Sequence, residues 1–202
     1  MRVVAGRYKG RRLLSPEGEE GIRPTSDKVK EAIFSMIAME IEGARVVDLF
    51  AGSGSLGIEA LSRGAKVCCF CDISPESLKL LRENLDKLKV PGVEAHILRG
   101  DFRRMGARIG TALAPYSGEE GGTGCPAGGA KGQADIVFAD PPYSAGYENE
   151  ILQLLSDCGI MESGGLLVLE HADKVSVAAH PGFEVLREKR YGKTGVHLLR
   201  KV

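Results

Sequence analysis

The residues Asp140-Pro141-Pro142-Tyr143 place an acid, two prolines and an aromatic ring directly after a short apolar run, residues 136–139. Because proline has no N–H group, a strand over that run must end here. The prolines also fix the backbone, so the Asp140 carboxylate, the Pro141 carbonyl and the Tyr143 ring face one small space. Two acceptors and a stacking ring suit a flat ring that carries an amine. The alternative is a plain proline-rich exit from a strand.

A glycine-rich turn follows another apolar run earlier in the chain. Gly52, Gly54 and Gly57 match the spacing of dinucleotide-binding turns, and Asp72 lies near the distance of a ribose-binding acid. An NAD-dependent enzyme would satisfy this pattern too. Asp48 argues otherwise, because a carboxylate before the glycines repels a pyrophosphate but attracts an ammonium group. A cofactor with an amino-acid tail, a ribose and an adenine fits better, and S-adenosylmethionine has all three.

The residue types divide this predicted site into two halves. Glycines let the backbone approach the cofactor closely, Asp72 can accept ribose hydroxyls, Asp101 can accept the adenine amine, and Phe102 can pack on the adenine ring. Asp140 and Tyr143 remain for a methyl acceptor. The predicted cofactor-binding residues are Asp48, Phe50, Ala51, Gly52, Ser53, Gly54, Gly57, Asp72, Ile73, Asp101 and Phe102, and the predicted catalytic residues are Asp140, Pro141 and Tyr143.

Strands and helices are predicted to alternate from Ala44 onward. Strands are predicted over residues 46–50, 66–71, 94–98, 134–139 and 165–170, helices over 56–63, 75–88 and 147–158, and an antiparallel pair over 183–191 and 195–201. Such repetition implies an α/β fold with a mostly parallel sheet and helices on both faces. Ligands bind beyond the carboxyl ends of the strands in such sheets, which is where the glycine turn, Asp72, Asp101 and Asp140 fall.

The N-terminal segment differs from this pattern. Residues 2–14 mix basic and apolar side chains and are broken by glycines, which predicts a small β-ribbon. A helix is predicted to open at residues 23–27 and to continue to about residue 41. The predicted organisation is therefore a ribbon and loop over residues 1–22 and a Rossmann-like domain over residues 23–202. Residues 110–133, with eight glycines and two prolines, are predicted to be a flexible surface insertion.

Charge is balanced overall but unevenly placed. The chain has 27 basic and 27 acidic residues, yet residues 1–12 hold five basic residues and no acid, and residues 187–202 hold six basic residues and one acid. Basic ends over an acidic body favour a polyanionic partner, although solvated charged strands are the alternative. The five cysteines show no metal-ligand spacing and are expected to be buried free thiols. Without a membrane-length apolar run or a signal sequence, a cytoplasmic protein is expected.

Four segments resemble the RsmD family of class I methyltransferases: RVVAGRYKGRRL, RPTSDKVKEAIFS, DLFAGSGSLGIEALSRGA and DPPY. The third and fourth segments are common to many amino-group methyltransferases, whereas the ribbon and the RPT helix are specific. The chain departs from the family at Ser35, where Asn is usual, at Asp72, where Glu is usual, and in the length of the insertion.

The resemblance implies a seven-stranded class I methyltransferase fold, S-adenosylmethionine as cofactor and no metal. It implies methylation of the N2 amine of a guanine in 16S ribosomal RNA, within a small ribosomal subunit or an assembly intermediate, by a monomer. The alternatives are a DNA adenine-N6 methyltransferase, which shares DPPY, and a non-catalytic RNA-binding module on a methyltransferase fold. The residues expected to contact RNA phosphates are Arg2, Arg7, Lys9, Arg11, Arg12 and Arg23.

Overall fold

The computed structural model describes residues 1–15, 27–114, 132–175 and 177–202, and its centre is one seven-stranded sheet. The strands are β1 (Arg45–Asp48), β2 (Val67–Asp72), β3 (Ala95–Arg99), β4 (Ala134–Ala139), β5 (Met161–Ala172), β6 (Phe183–Tyr191) and β7 (Thr194–Lys201). Their order is β3-β2-β1-β4-β5-β7-β6. The first five are parallel, and β7 lies antiparallel between β5 and β6. The predicted mostly parallel α/β sheet is confirmed.

Helices cover both faces of the sheet. They are α1 (Asp27–Met36), α2 (Ser55–Ser62), α3 (Pro75–Leu88), α4 (Gly106–Ala112) and α5 (Glu148–Asp157), with a short 3-10 helix over Phe102–Arg104. Alternate residues of β4 point to opposite faces. Phe138 packs with α1, α2 and α3, its ring 5.5 Å from that of Phe34. Val137 and Ala139 pack instead with α4 and α5. Two apolar cores therefore hold the central strands.

Two predicted boundaries need correction. Helix α1 ends at Met36 rather than near residue 41, although Ile37 and Ile41 stay buried, because the following turn packs them into the same core. Residues 110–112, predicted to begin the insertion, belong to α4, since Ile109 and Leu113 lie one turn apart and are both buried. The rest of that insertion over residues 115–131, and the predicted start of the helix at residues 23–26, lie outside the described residues.

The N-terminal ribbon, residues 2–14, is a narrow antiparallel loop that is docked on the main body. Arg2 and Arg12 form its bridge, and the Val3 N–H donates to the Arg11 carbonyl at 2.9 Å. Val3 and Leu13 are buried in the same core as α1, α2 and α3. The ribbon thus shares the hydrophobic core of the seven-stranded sheet. Its own two segments are joined by few backbone hydrogen bonds.

Buried charges attach the ribbon to α2. The Glu59 carboxylate accepts the N–H groups of Val4 at 2.7 Å and Ala5 at 2.9 Å. Lys30, fully buried on α1, lies 3.6 Å from the same carboxylate and donates to the Arg2 carbonyl at 2.5 Å. Burial lowers the pKa of Lys30, and the charge of Glu59 opposes that shift. Since the Lys30 and Glu59 side chains are both removed from water, each charge depends on the other.

Replacing Glu59 by leucine should therefore be strongly destabilising. Glu59→Leu leaves the Lys30 ammonium buried without its carboxylate and removes the acceptor for two ribbon N–H groups. We expect the free energy of unfolding to fall by about 3–5 kcal/mol in urea titrations. The matched control is Glu83→Leu, which removes an exposed helical pairing to Lys79 and should change stability by less than about 0.5 kcal/mol. Equal effects of the two substitutions would contradict the role of Glu59.

Candidate active site

The carboxyl ends of the parallel strands open into a cavity of about 1010 Å³. Gly52, Asp72, Asp101 and Asp140, which follow four different strands, all line it. The sequence placed these groups at strand ends, and the parallel arrangement brings them to one edge of the sheet. A cavity of this size suits a small-molecule cofactor together with part of a second substrate.

The glycine turn, residues 51–55, fits between this cavity and the core. Gly52 has a φ of +53° and open space where a Cβ would lie, so its backbone can be approached closely. A Cβ on Gly57 would lie 2.2 Å from the Phe70 ring, so glycine is needed there to let α2 pack on β2. Of the predicted cofactor residues, Phe50, Gly52, Asp72, Ile73, Asp101 and Phe102 line the cavity, whereas Asp48, Ala51, Ser53, Gly54 and Gly57 lie beneath this surface and shape the turn.

Asp48 is a buried carboxyl under the turn. Its Oδ2 accepts the Gly57 N–H at 3.0 Å. Burial raises the pKa of Asp48 to about 7; the Gly57 N–H opposes this shift, and the carboxylates of Asp140 and Asp72 add to it. The group is therefore poised to change charge near neutral pH and to respond to a cation brought beside it.

Asp72 connects the turn to the beginning of α3. Its Oδ2 accepts the Gly52 N–H at 2.7 Å and its Oδ1 accepts the Ser74 N–H at 2.8 Å. Ser74 in turn caps α3 by accepting the Ser77 N–H at 3.2 Å. Each carboxylate oxygen can accept a further hydrogen bond, so the orientation of Asp72 is fixed while its capacity for hydroxyl donors is kept.

An aromatic cluster forms the wall beside Asp101. The ring of Phe50 lies 5.0 Å from that of Phe102 and is stacked with that of Tyr147 at 6.4 Å. The Arg103 guanidinium lies 4.7 Å from the Phe102 ring and 4.6 Å from the Tyr147 ring. Asp101 accepts the Arg103 N–H at 3.0 Å, and this bond and the guanidinium lower the pKa of Asp101. Sequence reasoning missed Arg103 and Tyr147, although Arg103 directly follows two predicted site residues.

The other end of the cavity holds the DPPY residues. The predicted catalytic residues Asp140, Pro141 and Tyr143 all line it. The Tyr143 hydroxyl donates to Thr194 Oγ1 at 3.1 Å, which anchors the ring to β7. Three residues of β5, β6 and β7 complete this half, and no sequence motif marked them: Glu170, Tyr191 and Thr194.

The predicted RNA-contacting residues of the ribbon are exposed but differ in their partners. Arg2 pairs with Asp27 at 2.8 Å, and Arg7 pairs with Glu94. The side chains of Lys9, Arg11 and Arg12 face solvent. Arg23 lies outside the described residues.

The cysteine prediction holds for three positions and fails at one. Cys68, Cys69 and Cys71 are buried free thiols in β2, but Cys158 is exposed, because it follows the last turn of α5 at the surface. Cys125 lies outside the described residues. Across the described ranges, no three His, Cys, Asp or Glu side chains are grouped to hold a metal ion. Nor does any described helix have the length and apolarity to cross a bilayer.

The strand order, the glycine turn and the DPPY residues around one cavity define a class I, Rossmann-like methyltransferase. Solved structures agree: the Escherichia coli protein yhhF has a TM-score of 0.79 and 30% identity, covering 100% of this chain and 97% of that chain. The Haemophilus influenzae protein HI0767 has a TM-score of 0.75 and 25% identity, covering 100% and 98%.

Sequence comparison identifies the family. The family model described as "Conserved hypothetical protein 95" matches residues 1–114 and 123–200. YlbH of Bacillus subtilis (strain 168) is 37% identical over 202 residues, which are 100% of this chain and 99% of that protein. The Escherichia coli (strain K12) "Ribosomal RNA small subunit methyltransferase D" is 30% identical, covering 100% and 90%. The chain belongs to this family, the RsmD family, and is a methyltransferase.

The raised pKa of Asp48 predicts a specific dependence of stability on pH. The carboxyl is protonated in the folded protein up to about pH 7, whereas a free aspartate ionises near pH 3.9. The stabilisation from the protonated form is therefore full below about pH 4 and is lost as pH rises through about 7. Relative to Asp48→Asn, the free energy of unfolding of the wild type should fall by up to about 1.4 kcal/mol per pH unit between these limits.

Urea unfolding of both proteins at a series of pH values and constant ionic strength measures this difference. Asp86→Asn, at an exposed position on α3, is the control and should show no such slope. A difference between wild type and Asp48→Asn that stays constant with pH would show that Asp48 ionises normally in the folded state.

Proposed function

We propose that this protein transfers the methyl group of S-adenosylmethionine to the N2 amine of a guanine in 16S ribosomal RNA. The observation that carries the proposal is one cavity with two chemically distinct ends. Gly52 and Asp72 line it from the side of β1 and β2, and Asp140, Pro141 and Tyr143 line it from the side of β4, the strand beyond β1 in the sheet. The names of the curated relatives point to ribosomal RNA as the substrate.

The residues at the first end fit the cofactor. Asp72 is held with spare acceptor capacity for ribose hydroxyls, and the Phe102 ring borders the space where an adenine would pack. Asp48 lies beneath the turn and is only 1% exposed, so its carboxyl would favour the ammonium group of the amino-acid tail through its charge and by holding the turn, not by direct contact. S-adenosylmethionine supplies a methyl group that is already electrophilic on a sulfonium, so the proposed transfer requires no metal.

The residues at the second end would prepare the amine. The N2 lone pair of guanine is delocalised into the ring, so the amine is planar and a poor nucleophile. Asp140 and the Pro141 carbonyl would accept its two hydrogens, which favours a tetrahedral nitrogen whose lone pair faces the cofactor half of the cavity. Tyr143, anchored by Thr194, would stack on the base. Alignment of this kind can supply up to about 7–11 kcal/mol in the best models. The proton released from the amine would pass to Asp140 or to water.

The target base must leave its helix to enter this cavity. Enzymes that modify a base take it out of the stack, or act on bases that are already unpaired. Structured RNA in a small ribosomal subunit or an assembly intermediate fits this requirement better than a free nucleotide. We propose that the enzyme acts there as a monomer in the cytoplasm, with the ribbon and Arg23 along the RNA phosphates.

The decisive experiment supplies isotopically labelled S-adenosylmethionine and small ribosomal subunits that lack the modification. Label should enter the RNA, and mass spectrometry of its nucleosides should find N2-methylguanosine. Adding duplex DNA as a competing substrate tests the adenine-N6 alternative, which predicts label in DNA. Calorimetry with the cofactor tests the non-catalytic alternative, which predicts RNA binding without cofactor binding. Absence of label in RNA while cofactor binding is intact would refute the proposal.

Asp140→Ala should abolish turnover but leave the cofactor half intact. Loss of an acceptor that acts in the transition state should lower kcat by at least about a hundredfold. The dissociation constant of the cofactor should change only a few-fold in calorimetry. Asp157→Ala, at an exposed position on α5, is the matched control and should keep full activity. A parallel loss of cofactor affinity and turnover would contradict the role given to Asp140.

Removing two exposed charges of the ribbon should weaken RNA binding through its electrostatic part. For Arg11→Ala/Arg12→Ala we expect the slope of log affinity against log salt to become shallower by roughly 0.7–0.9 for each phosphate that the arginines neutralise in the wild type. Filter binding or fluorescence anisotropy at several salt concentrations measures the slope. Arg108→Ala, exposed on α4 and so on the opposite face of the sheet from the ribbon, should leave it unchanged. A change in stability alone, at constant slope, would mean that these arginines are structural.

A further inference from the structure

Glu170 is a buried carboxyl group at the methyl-acceptor end of the cavity, with only 2% of its surface exposed. It lies near the carboxyl end of β5, the strand next to β4. Acidic side chains are rarely buried to this extent, because removing a charge from water is costly. The mechanism proposed above does not use this group.

The register of the sheet sets Glu170 beside Asp140. Ala139 of β4 pairs with Leu169 of β5, so Asp140 and Glu170 are the next residues along two adjacent strands. Val168, two positions before Glu170 in β5, packs into the core formed with α1, α2 and α3, so the alternation directs Glu170 to that face, and both acids line the same cavity. Adjacent strands lie about 4.8 Å apart. Two carboxyl groups therefore border the space into which the base would enter.

We propose that the Glu170 carboxylate accepts the N1–H of the target guanine and thereby selects guanine over adenine. The inference rests on the proposed function of the same site. Guanine presents two neighbouring donors on one edge, the ring N1–H and the N2 amine, and the second is the group given to Asp140 and Pro141. An ionised carboxylate only accepts hydrogen bonds. Two acids side by side thus match a base edge that carries donors on two neighbouring nitrogens.

Adenine presents a different edge to the same pair of acids. Its N6 amine could be held by Asp140, but the adjacent ring N1 carries a lone pair and no hydrogen. That lone pair would face the Glu170 carboxylate, leaving two buried acceptors against each other. Sites built to hydrogen-bond a donor reject analogues that lack it by large factors, because a repulsive contact between two acceptors takes the place of the hydrogen bond. Glu170 would therefore distinguish this enzyme from adenine-N6 methyltransferases that use the same DPPY residues.

The surroundings of Glu170 favour a contact with the base rather than with solvent. Val29 of α1 and Tyr191 of β6 border the same cavity, and Thr194 anchors the Tyr143 ring beside it. A base stacked on Tyr143 would meet the carboxylate in a partly apolar space, where a hydrogen bond to a charged acceptor is stronger than in water.

The experiment compares two bases at the modified position. The target guanosine is first located by mass spectrometry of RNA methylated by the wild type, and RNAs are then made with guanosine or 2-aminopurine at that position. 2-Aminopurine keeps the N2 amine, but its N1 is an acceptor. For the wild type, kcat/KM should be at least about a hundredfold higher with guanosine. Comparable rates with the two bases would overturn the inference without any variant being needed.

The variant Glu170→Gln then tests the residue itself. Its amide can donate to the N1 of 2-aminopurine and offers guanine only a neutral acceptor. We expect about ten- to a hundredfold lower kcat/KM with guanosine and at least a tenfold smaller preference for guanosine over 2-aminopurine. A solely structural role would change both substrates alike, so an unchanged preference would overturn the inference.

Two controls separate the possible failures. Glu184→Gln, at an exposed position on β6, should behave as the wild type, and cofactor affinity should be similar in all three proteins. If the wild type methylates no guanosine in any ribosomal substrate, the proposed function itself fails and the inference falls with it. If the wild type methylates guanosine but does not discriminate against 2-aminopurine, only the inference about Glu170 fails.

Discussion

The adjacency of β1 and β4 is the constraint on which the active site depends. Val47 pairs with Val137 and Asp48 with Phe138, so the glycine turn and the DPPY residues leave neighbouring strands at the same edge. The chain crosses from one side of the sheet to the other between these strands, since β2 and β3 lie beyond β1 while β5 lies beyond β4. Such a reversal opens a crevice between the loop that follows β1 and the loop that follows β4. The cavity and its two chemically different ends follow from that arrangement.

A second set of buried polar contacts ties the N-terminal ribbon to the cofactor half. The Asn84 side chain bonds both backbone groups of Leu14 and also donates to the Ser53 carbonyl at 2.9 Å in the glycine turn. Lys30 similarly joins the Arg2 carbonyl to Ser55 at the start of α2. A surface proposed to contact RNA is therefore built on the same side chains that hold the turn in place. Satisfied polar networks of this kind specify one geometry, because a partly satisfied one is costly.

Short-range sequence patterns predicted the ends of a helix correctly where the helix itself contains the residues that mark them. Helix α3 begins at Pro75 and ends at Leu88, the bounds predicted from the sequence, with Leu78, Leu81, Leu85 and Leu88 buried on one side. Helix α1 is shorter than its apolar spacing suggests, since Ile37 and Ile41 reach the core from a turn. The prediction that Cys158 is buried was wrong for a related reason. Cysteine is usually buried, but Cys158 is exposed because the end of α5 lies at the surface. Burial depends on neighbours that local periodicity does not reveal.

The sequence by itself determined the α/β class, the strand ends that carry Gly52, Asp72, Asp101 and Asp140, and the family, because these are encoded by short-range patterns. Tertiary structure alone decided which distant side chains complete the site. Tyr143 meets Thr194 across 51 positions of sequence, since β7 inserts antiparallel beside β5. Glu170 lies beside Asp140 only because β5 pairs with β4 in one register, and a shift by one residue would turn it to the other face. Pairing between strands joins residues that are far apart in sequence. The DPPY motif therefore indicated the chemistry of the acceptor half, but no motif indicated that Glu170 would lie in it.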